Sequence, residues 1–512
     1  MKIHYTANLL AFISFFLGLL AIQYSCSTER DQENRDITQV ILTDTSSYFY
    51  LDTHNYPEKK ATLPIGIFDS GTGGLAVLEV ILNLDQFDNS SHQFTPGGDG
   101  VIDFQEEYFL FLADQANMPY GNYSRENNID LLQEHIIKDA QFLLGKKYYP
   151  ASNSEKPQTD KDPVKILAIA CNTATAIGKE NIEGLVNRAD LDIEVIGIVD
   201  AGTKAALDQF GKDENGSIAV MATAGTVASS GYIKTLRKQQ RDSGYQGTIS
   251  IFQQAGIGLA GAIDGAIEFI DPAAAAPREG YRGPSDNHPE LSIDLSIFSR
   301  YGFDWESNNM LFDGDRTSPK NIQINSVENY ISYHLVTLLE EIRNTPDAEK
   351  LKAILLACTH YPFYLRFFEE KLAWLRNYQE NDIYIYRSHL AENIVFIDPA
   401  ENMAIELYQS LQSHNIFNQD DLSRSEFYIS IPNKMNPEVN TDAPGNFAYD
   451  YKYGRTAGHI QQYVKRVPIH RGYVSEETWK RLQERVPVSF ELIREFNRNN
   501  PKVSDISLED KF

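Results

Sequence analysis

"LKAILLACTHYPFYLRFFEEKL", residues 351–372, decides the fold. An apolar run of β character stops at Cys358-Thr359-His360, and the residues beyond return to helical spacing. The stretch reads as strand, turn, helix, with a thiol, a hydroxyl and an imidazole at the strand's carboxyl end. A second stretch, "VKILAIACNTATAIGKENI" (164–182), has the same build and ends its strand at Cys171-Asn172-Thr173.

Working outward, the same formula recurs. "IGIFDSGTGGLAVL" (65–78) is a strand, a glycine-rich turn and a helix start. "LADQANMPYG" (112–121) ends a further strand, and "IEVIGIVDAGTKAAL" (193–207), "GSIAVMATAGTVASSGYIKTL" (216–236) and "NIVFIDPAENMAIELYQSL" (393–411) repeat the unit. Apolar strands alternating with helices predict parallel sheets covered on both faces. Ligands of such sheets bind outside the carboxyl ends of the strands. Residues 68–74, 114–121, 171–175, 223–232 and 358–362 are therefore expected to converge on one cleft. Turns favour Asp, Ser, Asn and Gly in any case, so the expectation rests on five clusters sharing one disposition.

Stretches 87–105, 147–163 and 272–328 break the rhythm and read as loop insertions. Beyond residue 412 the alternation fades, and 413–512 reads as an extra lobe without recognisable chemistry.

The 512 residues carry 71 acidic against 46 basic side chains, a formal charge of −25, which argues against nucleic acid as a partner. Three cysteines, Cys26, Cys171 and Cys358, are too few for a disulfide scaffold. The apolar run 9–22 behind Lys2 reads as the core of an export signal. Cys26 follows it where a lipoprotein signal is cleaved and acylated, although Gln23 is not the usual aliphatic residue. Residues 27–62 are polar and read as a tether. The expected location is the cell envelope, on the periplasmic side and anchored through lipidated Cys26; a nonfunctional signal would leave the protein in the cytoplasm.

Cys171 and Cys358 invite three readings: a structural disulfide, metal ligands, or a pair of acid–base thiols. CxxC and HxxxH spacings of metal sites are absent. The third reading has a chemical logic. Inverting a carbon centre by proton transfer needs a base on one face and an acid on the other, and thiolate and thiol exchange those roles on the reverse reaction. A bound amino acid's carboxylate would take donors from Ser70, Asn172, Thr173 and Thr359, and its ammonium would face Asp69. Asp69 and His360 would help set thiol ionisation.

Residues 63–405 resemble the cofactor-independent aspartate/glutamate racemase superfamily, and glutamate racemase most closely. The motifs that carry the resemblance are "IGIFDSGTGGLAVL", "LADQANMPYG", "ACNTATA", "ATAGTVASSGY" and "LACTHYP", in that order. The resemblance implies catalytic roles for Cys171, Cys358, Asp69 and His360. It implies substrate contacts from Asp69, Ser70, Tyr120, Gly121, Asn172, Thr173, Thr223, Thr226, Thr359 and His360. It further implies glutamate as the small-molecule substrate, no cofactor and no metal, D-glutamate supply for peptidoglycan, and a homodimer as a compatible assembly. The fold it implies is α/β: two flavodoxin-like domains with parallel sheets related by pseudo-twofold symmetry, plus a C-terminal extension. The first domain is expected over 63–198 and 365–412, and the second over 199–364. Where the family has Ala-Cys-Pro after a strand, this chain has Gly256 in "QQAGIGLAG". The export signal leaves two alternatives open: racemisation of aspartate or another amino acid, and an exported amino-acid-binding protein.

Overall fold

The computed structural model describes residues 35–512. The expected export signal (1–26), Cys26 and the start of the tether lie outside the described residues. In chain order the strands of the first half are β1 (Ile65–Asp69), β2 (Phe109–Ala113), β3 (Ile166–Ile169), β4 (Glu194–Gly197), β5 (Gly216–Ala222) and β6 (Ile249–Ala255). Then come β7 (Met310–Asp315), β8 (Ser318–Ile324), β9 (Leu351–Ala357), β10 (Gln379–Glu380), β11 (Ile383–Tyr384), β12 (Leu390–Ile397), β13 (Glu426–Pro432) and β14 (Val464–Pro468).

Two sheets dominate. The first runs β14-β13-β2-β1-β3-β4, and the second β12-β9-β5-β6. All neighbours are parallel except the β13–β14 pair. Within β1–β4 the order is 2-1-3-4. Taken in chain order, β5, β6, β9 and β12 have the same order read from the opposite edge. Two like-wound units therefore share one topology, each with its switch point beside its first strand. The third strand of each unit, β3 and β9, ends one or two residues before a cysteine.

Strands buried on both faces explain why the sequence reads as unbroken apolar runs: β2, β3 and β5 are buried throughout. The helices Ile198–Leu207 and Pro399–His414 lie between the sheets. Ile198, Val199, Met403, Leu407 and Leu411 share one core with Ile67 of β1 and Leu355 of β9. Separate cores fill the outer faces, one under the helices Ile129–Leu144 and Asn172–Arg188, the other under Val327–Asn344 and Leu365–Asn377.

Three expected boundaries change. Strand β12 pairs with β9, so residues up to 397 belong to the second unit and not to the first. The helix Leu365–Asn377 goes with it, because Phe368, Leu372 and Leu375 bury against that unit's outer core. The tail is no separate lobe: β13 pairs with β2 and β14 with β13, extending the first sheet. Residues 35–62 are not a tether either. Their helix Ile37–Thr43 buries Ile37, Val40 and Ile41, Phe49 and Leu51 follow into the core, and the Tyr56 hydroxyl donates to the Val164 carbonyl at 2.5 Å. Within 272–328, the β7–β8 hairpin buries Met310, Leu311, Ile322 and Ile324 in the second unit. Among the described residues no helix is long and apolar enough to cross a membrane.

Candidate active site

The site is built from strand ends. β1 delivers Asp69, whose Oδ2 accepts from the Gly71 and Gly74 amides at 3.0 and 3.1 Å. Gly74 lets the following helix come this close, since a Cβ there would lie 2.4 Å from the Asp69 Cβ. Burial raises the Asp69 carboxyl above its ordinary range; those amides and the Cys171 thiol pull the other way.

Cys171 follows β3 and caps the helix Asn172–Arg188, its sulfur accepting from the Ala174 amide at 3.4 Å. The backbone is extended there, as a cap requires. Only 7% of Cys171 is exposed. Burial, then the Asp69 carboxylate, push its thiol up to about 12, against the helix amide and Ser70, which favour the thiolate. At neutral pH this residue is a thiol, a proton donor.

Cys358 follows β9 and is equally buried, and both cysteines are free. The disulfide reading is thereby removed. His360 Nδ1 stands 3.5 Å from the Cys358 sulfur, and its Nε2 stands 3.3 Å from Asp264 Oδ1. Burial works against the imidazolium, but Asp264 and then Cys358 outweigh it, and His360 is raised to about 9. It is positively charged at neutral pH, beside the sulfur that would need positive charge if it acted as a base. The two thiols thus sit in opposite electrostatic settings.

Two cavities open at these strand ends, each lined by neighbours of a cysteine in sequence and neither by the cysteine itself. One of about 470 Å³ is lined by Ser70, Tyr120, Gly121, Thr173, Thr223 and Thr226, six residues expected from the sequence, with Asn122, Ser124, Arg125 and Ser229 beside them. Thr223 caps its own short helix, and its hydroxyl lies 3.0 Å from that of Thr226. The second, about 130 Å³, brings Thr359 and His360 together with Thr72 and Gly73 from the β1 turn. Asn172 is joined to the second unit by the Tyr232 hydroxyl, which donates to its Oδ1 at 2.8 Å. Tyr232 is itself held neutral by burial, with the Asp398 carboxylate working in the same direction.

One expected contact is altered. Tyr120 lines the larger cavity, but its hydroxyl is turned inward, 2.7 Å from both Asp114 and Asp139. Burial and the Asp114 charge push Asp139 up to about 8, against the Arg466 guanidinium and the Tyr120 hydroxyl, which favour its carboxylate. The tyrosine supplies a wall, not a hydroxyl, to the cavity.

Sequence reasoning missed Tyr232, Asp264, Arg481 and Arg485. Tyr232 closed a motif already quoted. Asp264 follows the short helix Leu259–Ile263 in a segment with no motif, and the two arginines lie in the tail. Their i, i+4 spacing, which puts both on one helix face, was the available signal.

No protein-family model matches the chain. Curated relatives do. The chain is 34% identical over 179 residues to glutamate racemase of Lactobacillus johnsonii, covering 35% of this chain and 49% of that protein. It is 29% identical over 215 residues to that of Lactobacillus helveticus, 42% and 61%. The match to glutamate racemase of Limosilactobacillus reuteri is 28% over 309 residues, 60% of this chain and 72% of that one. Over these stretches the chain is similar to glutamate racemases. Its matched stretches span about half to three-fifths of the length of the two Lactobacillus relatives. Among solved structures, glutamate racemase RacE1 of Bacillus anthracis aligns with a TM-score of 0.39 at 20% identity, covering 72% of this chain and 87% of that one. Glutamate racemase of Francisella tularensis, in complex with D-glutamate, aligns with a TM-score of 0.38 at 18% identity, 77% and 95%.

The glycine at 256 has a physical reason. A Cβ at that position would lie 2.2 Å from the Tyr361 hydroxyl, which donates to the Gly256 carbonyl at 3.3 Å. The phenol fills the room that a side chain at 256 would take.

Proposed function

We propose that this protein interconverts L- and D-glutamate by proton transfer between Cys171 and Cys358, without pyridoxal phosphate, and supplies D-glutamate for peptidoglycan. The observation that carries the reading is the pair of free, buried thiols at equivalent strand ends of two like-wound sheets, one kept as a thiol and the other beside an imidazolium. In one direction the Cys358 thiolate takes the α-proton: the Cα–H bond breaks and an S–H bond forms. On the opposite face Cys171 gives up its proton and a new Cα–H bond forms, leaving the thiolate there. By analogy with the family, Cys358 serves the L-enantiomer and Cys171 the D-enantiomer.

Negative charge accumulates on the substrate's carboxylate as the proton leaves, so hydroxyl donors there lower the barrier. Ser70, Thr173, Thr223 and Thr226 line the cavity and supply such donors. Asp69 would face the ammonium. Glutamate is favoured as substrate because the relatives this chain matches are glutamate racemases. Incubation with L-glutamate, D-glutamate and L-aspartate in heavy water tests both parts. Deuterium at Cα with loss of optical rotation is expected for glutamate; no exchange with any of the three would remove the racemase reading.

The envelope location remains a proposal resting on the apolar run 9–22 and Cys26. Cys26→Ala should release the protein from membranes or block processing of the signal; unchanged fractionation would point to another mode of attachment.

A further inference from the structure

The C-terminal extension reaches the site. Its helix Glu476–Arg485 supplies Thr478, Arg481, Leu482 and Arg485 to the cavity that holds Thr359 and His360. Arg485 Nη1 pairs with Asp264 Oδ1, the oxygen that also faces His360 Nε2, and its Nη2 donates to the Ile263 carbonyl. Arg481 stands 3.8 Å from the other Asp264 oxygen. The next helix, Pro487–Asn499, is tied to the first unit: the Val488 and Ser489 amides donate to the Glu79 carboxylate at 3.1 and 2.7 Å. The junction at Val486 therefore spans both units beside the site, with Asp264 as its anchor on the second.

We propose that Arg485 is a positioning residue: through Asp264, the C-terminal extension holds His360 against Cys358 and sets the pH at which that thiol exchanges its proton. The inference rests on reading Cys358 and His360 as the acid–base groups of one face, but its test needs no turnover. Asp264 cannot serve two cations without dividing its charge between them. The groups that face His360 are Cys358 on its own segment, Asp264 beside the Leu259–Ile263 helix, and Arg481 and Arg485 from the extension. Tyr361 shares a buried core with Cys358, and Tyr232 lies within its electrostatic reach. Removing a cation raises the proton affinity of every neighbour, so loss of Arg485 moves the His360 and Cys358 titrations to higher pH together.

The experiment follows alkylation of each cysteine by iodoacetamide against pH, resolved by mass spectrometry in the full-length protein. In Arg485→Gln the midpoint for Cys358 is expected to rise by about half a pH unit or more, while Cys171 serves as the unmoved reference. Arg485→Lys should restore the wild-type profile. In an Asp264→Asn background the Gln substitution should add little, because the coupling runs through that carboxylate. An unmoved Cys358 midpoint in Arg485→Gln, or an undiminished shift without Asp264, overturns the proposal. If Arg485→Gln unfolds, both thiols become fast; Arg481→Gln then carries the test, with the same sign and a smaller shift, and no shift overturns it. Absence of glutamate turnover would count against the racemase reading and leave this test standing; normal turnover with an unmoved Cys358 would remove this inference alone.

Discussion

Gly256 shows how much one side chain decides. The Tyr361 phenol is buried and occupies the space above the β6 end, so any larger residue at 256 must displace it. Overpacking of this kind typically costs about 1–3 kcal/mol. Gly256→Cys should therefore lower the thermal midpoint, and Tyr361→Phe, which removes the colliding oxygen, should recover part of the loss. Equal stability of Gly256→Cys and wild type would show that the phenol is not fixed there. At this scale the two cysteines were legible because each ends an apolar strand with polar residues after it. The inward turn of the Tyr120 hydroxyl was not, because it depends on Asp139, nineteen positions away, and on Arg466 from the tail at 2.6 Å. Asp264 was invisible for the same reason: its partners His360 and Arg485 are distant in sequence.

At the scale of elements, strand–turn–helix units were readable wherever the apolar pattern was strong, from β1 to the helix Pro399–His414. Which sheet β12 joins was not, since its local pattern is the same whether it extends one sheet or the other; only its pairing with β9 settles it. The tail failed differently. β14 carries Lys465 and Arg466, which disguise it as a polar segment, yet all five of its residues are buried. Glu79 gives this scale its prediction. Its carboxylate accepts from the first free amides of the Pro487–Asn499 helix, the place where an anion stabilises a helix. Glu79→Ala should lower unfolding stability by about 1 kcal/mol in denaturant titration, whereas Glu79→Gln, which keeps the acceptor, should lose less. No change in either would mean that the helix is held by its apolar face alone.

For the whole molecule, the extension is part of the first unit. Removing residues 413–512 would strip β13 from β2, leave an unpaired apolar edge, and take Arg466 away from buried Asp139. Breaking a buried pair from one side commonly costs about 3–5 kcal/mol, and lost strand burial adds to it. The truncated chain should be insoluble or lack a cooperative transition; a soluble, cooperatively folding 35–412 fragment would contradict this architecture. The two-unit design matters because it gives each thiol its own sheet and its own electrostatic setting. The most direct test is α-proton exchange in heavy water by Cys171→Ser and Cys358→Ser, each followed with both glutamate enantiomers. Serine is a far weaker base of similar size, so racemisation should fall by orders of magnitude in both variants. Exchange without racemisation should persist for D-glutamate in Cys358→Ser and for L-glutamate in Cys171→Ser. Wild-type racemisation in both variants would show that the cysteines only fill space, and the two-thiol mechanism would be wrong.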